Sequence, residues 1–257
     1  LRGSRMGRCG RQSAYMQWPH LFPSEPLAAR AKLVFRFGDL VHEMIRREFR
    51  RVLPGQWGME EERFWFPVPL STKEADAAQR KIESGMLKGP RLDPAGPMLH
   101  IPVAVDGIAD LSAFDPRYGL ASVEIKSMAT ASFRRALQGH VDYSYRTQMA
   151  VEAEAAGVDT HVYVAIRKDT CHVLEVVYSK RATSVEVRFT KSSKLVEILH
   201  ATGTVEDGDD WEAAEVQHPF EPHLLDDARQ RVRRVLLSEP NAPGHPLPAR
   251  EYGPEFR

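Results

Sequence analysis

The amino-acid sequence predicts an α/β fold, a central mixed β-sheet flanked by helices. Two observations carry this. Amphipathic stretches of helical period alternate along the chain with short runs rich in β-branched residues, in the order helix, sheet, helix, sheet, helix. The chain has 257 residues, 42% hydrophobic and 27% charged, which gives it enough apolar material for a sizeable core and excludes a disordered polymer. No run of eighteen apolar residues exists, so no helix is expected to span a bilayer.

Each element follows from its own pattern. Residues 1–32 read as a basic arm with scattered prolines. In LVFRFGDLVHEMIRREFRRVL, Leu33, Phe37, Val41, Met44, Ile45, Phe49 and Val52 recur at three- and four-residue spacing, which predicts an amphipathic helix from near Gly38 to just before Pro54. RFWFPVP reads as a strand whose prolines place it at an edge. Residues 71–90 read as helical. LHIPVAV and IADLSAF flank Asp106-Gly107, a hairpin signal because glycine tolerates positive φ. ASVEIKS would then complete three successive antiparallel strands. A polar helix-prone segment leads to the helix YSYRTQMAVEAEAAG, ended by Gly157. THVYVAIR and CHVLEVVY read as strands, and residues 181–200 as a helix. The core is therefore assigned to residues 33–201. Residues 202–257 read as an acidic linker, an amphipathic helix (HLLDDARQRVRRVLL) expected to pack on its own core, and a proline-rich tail.

Charge and cysteine usage bound the function. Lys plus Arg equals Asp plus Glu at 35 each, so there is no global basic signal for nucleic acid. The distribution is uneven: residues 1–51 hold eleven Lys/Arg against four Asp/Glu, and residues 202–221 hold seven acids and no base. A basic face of this kind can follow a phosphate backbone, or can be an ordinary solvated surface. Cys9 and Cys171 are too few and too far apart for a structural zinc or an iron–sulfur cluster. The arginine-bearing N-terminus has no apolar stretch behind it, which argues against a secretory signal and makes a reducing cytoplasm the expected compartment. No phosphate-binding Gly-x-x-x-x-Gly-Lys-Ser/Thr loop is present, so no ATP-driven motor is expected.

The chemistry concentrates in the stretch VEIKS. In an extended strand Glu124 and Lys126 share one face, while Val123 and Ile125 share the other. Asp110 on the preceding strand is expected to meet Glu124 across the turn. Two converging carboxylates repel unless a cation lies between them, and Mg²⁺ or Mn²⁺ suits oxygen ligands. Lys126 would then orient a metal-activated water or stabilise charge on a phosphate, and the Ile125 carbonyl is a candidate further ligand. A hairpin with a charged outer face is the other reading of this trio. The carboxylates Glu43, Glu48, Glu60, Glu61 and Glu62 are expected as surface charges.

Asp110 followed by Glu124-Ile125-Lys126 resembles the core signature of the PD-(D/E)XK nuclease superfamily. Gly38 and His42 resemble the Gly-x-x-x-His helix motif of its RecB-type and phage exonuclease branch, and Tyr145-Arg146-Thr147-Gln148 resembles the glutamine-bearing helix of that branch. The resemblance spans roughly residues 33–166. It implies a restriction-endonuclease-like core and a DNA-cleaving enzyme of repair, recombination or phage replication, in a bacterial or phage-infected cell. One or two Mg²⁺ or Mn²⁺ ions would be held by His42, Asp110, Glu124 and Ile125. Lys126 and Gln148 would be catalytic, and Tyr145, Arg146 and Gln148 would bind substrate. A single-strand annealing or recombination protein is an implied partner, and an oligomer is open. The branch often carries tyrosine four residues after the glutamine, where this chain has Glu152. Exonuclease, structure-specific endonuclease or nickase, and a non-catalytic nucleic-acid-binding or assembly protein of the same fold all remain open.

Overall fold

The structure is a computed structural model describing residues 29–112, 116, 118–137, 141–168, 170, 172–179, 185–190, 204–207, 211–216 and 223–238. Helix α1, Ala29–Val52, is longer than expected. Gly38 lies inside it rather than at its start. No proline interrupts the residues before it, and one interior glycine costs only about 1 kcal/mol. Val41 and Ile45 are buried and Phe49 half-buried on the face turned to the sheet. The basic arm before Ala29, both cysteines and the proline-rich tail lie outside the described residues.

A three-stranded sheet follows, ordered β2–β4–β3, from Arg63–Pro69 (β2), Arg91–Leu92 (β3) and Met98–Ala104 (β4). Its edge strand β2 carries Pro67 and Pro69, as the proline rule requires. Helix α2, Thr72–Glu83, starts at a capping box. The Glu74 N–H donates to Ser71 Oγ at 3.4 Å, and the Ser71 N–H donates to Glu74 Oε2 at 2.7 Å.

The main sheet has eight strands in the order β1–β5–β6–β7–β8–β9–β11–β10. These are Trp57–Gly58 (β1), Gly107–Asp110 (β5), Leu120–Met128 (β6), Thr160–Arg167 (β7), Val173–Ser179 (β8), Val185–Thr190 (β9), Thr204–Asp207 (β10) and Trp211–Val216 (β11). Among the described strands of this sheet, only β6 and β7 run parallel. The two are separated in sequence by helices α3, Thr130–Leu137, and α4, Tyr143–Ala156, which supply the crossover that a parallel pair needs. Gly157 closes α4 in the left-handed conformation, as expected.

Three expectations need correction. The Asp106-Gly107 pair makes no hairpin: β4 belongs to the small sheet and β5 to the large one, so the chain bends from one sheet into the other. Gly107 does not have positive φ. It is needed for space, since a Cβ there would stand 2.1 Å from the Trp57 ring. Residues 185–190 form a strand, not a helix. VEVRFT alternates apolar and polar residues, and β9 pairs antiparallel with β8 on one side and β11 on the other. The rest of 181–200 lies outside the described residues. The supposed acidic linker contributes β10 and β11 to the same sheet, so the core extends past residue 201.

Alternation on β6 and β7 divides the core. Val123, Ile125, Val162, Val164 and Ile166 pack with Val41 and Ile45 of α1. The opposite face, with Tyr163 and Ala165, packs on Phe133, Ala136 and Leu137 of α3 and Met149 of α4. Helix α5, His223–Leu237, seats Ala228, Val232 and Leu236 against Phe66, Val68, Leu99 and Val151. It packs on its own core, as expected. Gly107→Ala should therefore destabilise the fold by about 1–3 kcal/mol through overpacking against Trp57. A urea-unfolding midpoint equal to that of the unsubstituted chain would contradict this close approach.

Candidate active site

Strand β5 begins beside β6 only at Gly107, and the site lies in the gap before it. In an antiparallel ladder, residues two apart present their N–H and C=O groups to the same neighbour. Val123 is matched with Gly107, the first residue of β5. Two residues further on, Ile125 turns its amide to the same edge, where the chain has already bent away at Asp106. The Asp106 side chain fills the vacancy: its Oδ2 accepts the Ile125 N–H at 2.8 Å. Its Oδ1 meets His42 Nδ1 at 3.2 Å and accepts from Arg46 Nη2 at 3.1 Å. His42 and Arg46 are four apart on α1, so one helix face delivers both. Gly38, a turn earlier, faces Ser127, where a Cβ would make an ordinary 3.9 Å contact.

Asp110 does not take part. It is matched with Leu120, four residues or about 13 Å along β6 from the Glu124 position. Its carboxylate turns back on Ser112, accepting the backbone N–H at 3.0 Å and the hydroxyl. These bonds hold its pKa below the usual carboxylate value. The residue expected to oppose Glu124 is thus Asp106, which continues the same register.

Glu124 and Lys126 share a face and form an ion pair. That face is covered by α4, whose Gln148 donates through Nε2 to Glu124 Oε1 at 2.8 Å. The same nitrogen donates to Glu152 Oε1 at 2.7 Å. Glu124 is 3% exposed, Gln148 6% and Glu152 0%. Tyr145 lies one turn before Gln148, its ring centre 5.8 Å from Lys126 Nζ, and leans on Tyr163 at 5.9 Å. Arg146 sits 5.9 Å from the Tyr143 ring, and Arg231 of α5 5.0 Å from the same ring. Of the residues expected from sequence, His42 and the Ile125 N–H meet at Asp106, whereas Lys126 and Gln148 meet at Glu124 with Tyr145 near Lys126; Arg146 lies by Tyr143, and Asp110 turns away to Ser112. Sequence reading missed Asp106, Arg46 and Glu152.

The buried charges divide by their partners. Burial would raise the Asp106 pKa, but His42, the Ile125 N–H and Lys126 hold it below the usual carboxylate value. Glu152 has no cation bonded to it, and burial pushes its pKa up to about 8 despite the Gln148 bond. His161, hydrogen-bonded to Ser122 Oγ at 2.7 Å through Nδ1, is driven down to about 3 by burial and remains a neutral core residue. Four of the carboxylates expected as surface charges pair with arginines of α1: Glu61 with Arg46, Glu43 and Glu60 with Arg50, Glu48 with Arg51.

Among the described residues, no group of three or more His, Cys, Asp and Glu side chains stands in a ligating array. The donor chemistry at the gap nevertheless fits a hard divalent cation. Asp106 and His42 are in contact there, alternation puts the Ile125 carbonyl on the same edge as its N–H, and Glu124 holds the β6 position that continues the register to Asp106. Positive groups already engage both acids, Arg46 on Asp106 and Lys126 on Glu124, as two neighbouring anions require.

No family model matches the chain, and no curated protein matches it. Among solved structures, the crystal structure of SSO0001 is similar over 78% of this chain and 73% of its own, with 14% identity and a TM-score of 0.43. A likeness of that degree carries no argument about fold or function. No described helix is long and apolar enough to cross a membrane.

Glu152 gives the site a pH signature. Below its ordinary pKa of 4.5, folded and unfolded chains both hold the proton. Between there and about 8 only the folded chain keeps it, so rising pH favours unfolding. The slope for one proton is about 1.4 kcal/mol per pH unit. Glu152→Gln should remove this loss, so its stability advantage over the unsubstituted chain grows from pH 5 to pH 8. Urea midpoints that stay parallel across that range would contradict the buried, protonated state.

Proposed function

We propose that the chain is a metal-dependent deoxyribonuclease of the PD-(D/E)XK type, with Asp106 in the role that the resemblance implied for Asp110. The supporting observation is a pair of neighbouring contact groups on β6: Asp106 bonded to the Ile125 N–H and to His42 of α1, and Glu124 bonded to Lys126 and to Gln148 of α4. A surface that only bound nucleic acid would gain nothing from two carboxylates facing phosphate.

His42, Asp106, Glu124 and the Ile125 carbonyl are the groups that would hold Mg²⁺ or Mn²⁺. Such an ion, when bound, lowers the pKa of a coordinated water and offsets phosphate charge. The chain's own residues supply the rest. Asp106 is held by a backbone amide, so its position is as rigid as the strand. Lys126, partly exposed beside Glu124, orients the attacking water and stabilises negative charge as it develops on the scissile phosphate. Gln148 holds Glu124 in place. Tyr145, Arg146 and Arg231 form an aromatic and cationic rim on which a nucleic-acid backbone can be positioned. Exonucleolytic action in the cytoplasm of a bacterial or phage-infected cell fits this reading.

A labelled linear duplex and a closed circle, each incubated with Mn²⁺ and then with chelator, test it. Loss of label from ends marks an exonuclease, and cutting of the circle marks an endonuclease or nickase. No chelator-sensitive cleavage of either contradicts the reading and leaves the binding protein. Lys126→Ala and Asp106→Ala should each lower turnover about 10²–10⁴-fold, whereas Asp110→Ala should stay near the unsubstituted rate. The reverse ranking of the two aspartates would return the role to Asp110.

A further inference from the structure

Glu152 carries a fully buried carboxyl group in the middle of α4. Every residue from Thr147 to Ala153 is buried, so this stretch of the helix has no solvent-facing side to which the group could turn. Burying a carboxyl group is costly unless its oxygens find donors, and here only one does. Oε1 accepts from Gln148 at 2.7 Å; Oε2 has no hydrogen-bond partner among the described residues. A residue retained for core packing alone would carry no such group.

Its effect is seen at Gln148. The terminal torsion of glutamine is broad, so one hydrogen bond leaves the amide free to swing. The two hydrogens of Nε2 here have separate acceptors, Glu124 Oε1 at 2.8 Å and Glu152 Oε1 at 2.7 Å. Two acceptors on one nitrogen fix the amide plane. A reversed amide would set its oxygen against the Glu124 carboxylate with no hydrogen between them. Gln148 and Glu152 are four apart on one helix, so this geometry is built into α4 rather than imposed by substrate.

We infer that Glu152 is a positioning residue: it locks the Gln148 amide with its NH₂ edge toward Glu124, and so fixes the Glu124 carboxylate beside Lys126. Its effect on turnover rests on the nuclease reading; its effect on Gln148 does not. Glu152→Gln keeps an oxygen acceptor in place, while Glu152→Leu fills the same space without one.

The test reads two quantities. One is the side-chain amide proton–nitrogen pair of Gln148 by NMR, assigned by its disappearance in Gln148→Ala. The other is Mn²⁺-dependent cleavage. The unsubstituted chain and Glu152→Gln should show a dispersed, slowly exchanging amide pair. Glu152→Leu should move that pair toward solvent-like shifts and fast exchange, and lower kcat about 10- to 100-fold with KM for DNA unchanged. Its melting temperature, measured alongside, separates loss of fold from loss of positioning, since relief of the buried carboxyl group opposes the cost of leaving one Gln148 hydrogen without its acceptor. Should Glu152→Leu fail to fold, Glu152→Met carries the same expectation. An unchanged Gln148 pair in the apolar variant would overturn the inference whatever the turnover. If no cleavage is seen in any form while the Gln148 pair responds, the nuclease reading fails and the positioning role stands.

Discussion

The hydrogen bond from the Ile125 N–H to the Asp106 carboxylate is the constraint on which the site rests. A central strand cannot leave a buried amide unpaired, and β5 starts two residues too late to supply a partner. The residue that turns the chain from the small sheet into the large one therefore also completes the ladder, with its side chain in place of backbone. Ordinary strand pairing would have covered this edge. The gap instead leaves an acid beside Glu124, open to His42 and Arg46 from α1.

Two helices on opposite faces of the sheet meet at this opening. Helix α1 covers Val123 and Ile125 and reaches around the edge to Asp106; α4 covers the other face and reaches Glu124. The pairing of each acid sets its charge. Asp106 and Glu124 have cationic neighbours, whereas Glu152 has only an amide and keeps its proton well into the neutral range. A third anion at this depth would add repulsion that Lys126 and Arg46 could not offset. A neutral Glu152 can accept from Gln148 without that repulsion.

Local pattern carried much of the fold. The amphipathic helices, the strands around Ile125 and Val164 and the stop at Gly157 were legible because each follows from periodicity or one glycine. Register was not. Asp-Gly between apolar runs is a hairpin signal, yet Gly107 serves to admit the Trp57 ring, and the bend carries the chain to another sheet. With that turn misread, Asp110 rather than Asp106 was set opposite Glu124. Both lie on the same face by alternation, and only the pairing of Gly107 with Val123 separates them. Glu152 was visible as a departure from the resembled pattern, but its spacing from Gln148 was the signal that gave it a role. Strands β10 and β11 were hidden by acidic composition, which describes solvation and not backbone pairing.

The most direct measurement is anomalous scattering from Mn²⁺ in crystals of the chain. A cation site built on the β5–β6 gap requires a peak within about 2–2.5 Å of carboxylate oxygens of Asp106 and Glu124, on the β6 edge facing His42. A peak at Asp110, or Asp106 and Glu124 turned apart around an ion held elsewhere, would contradict it.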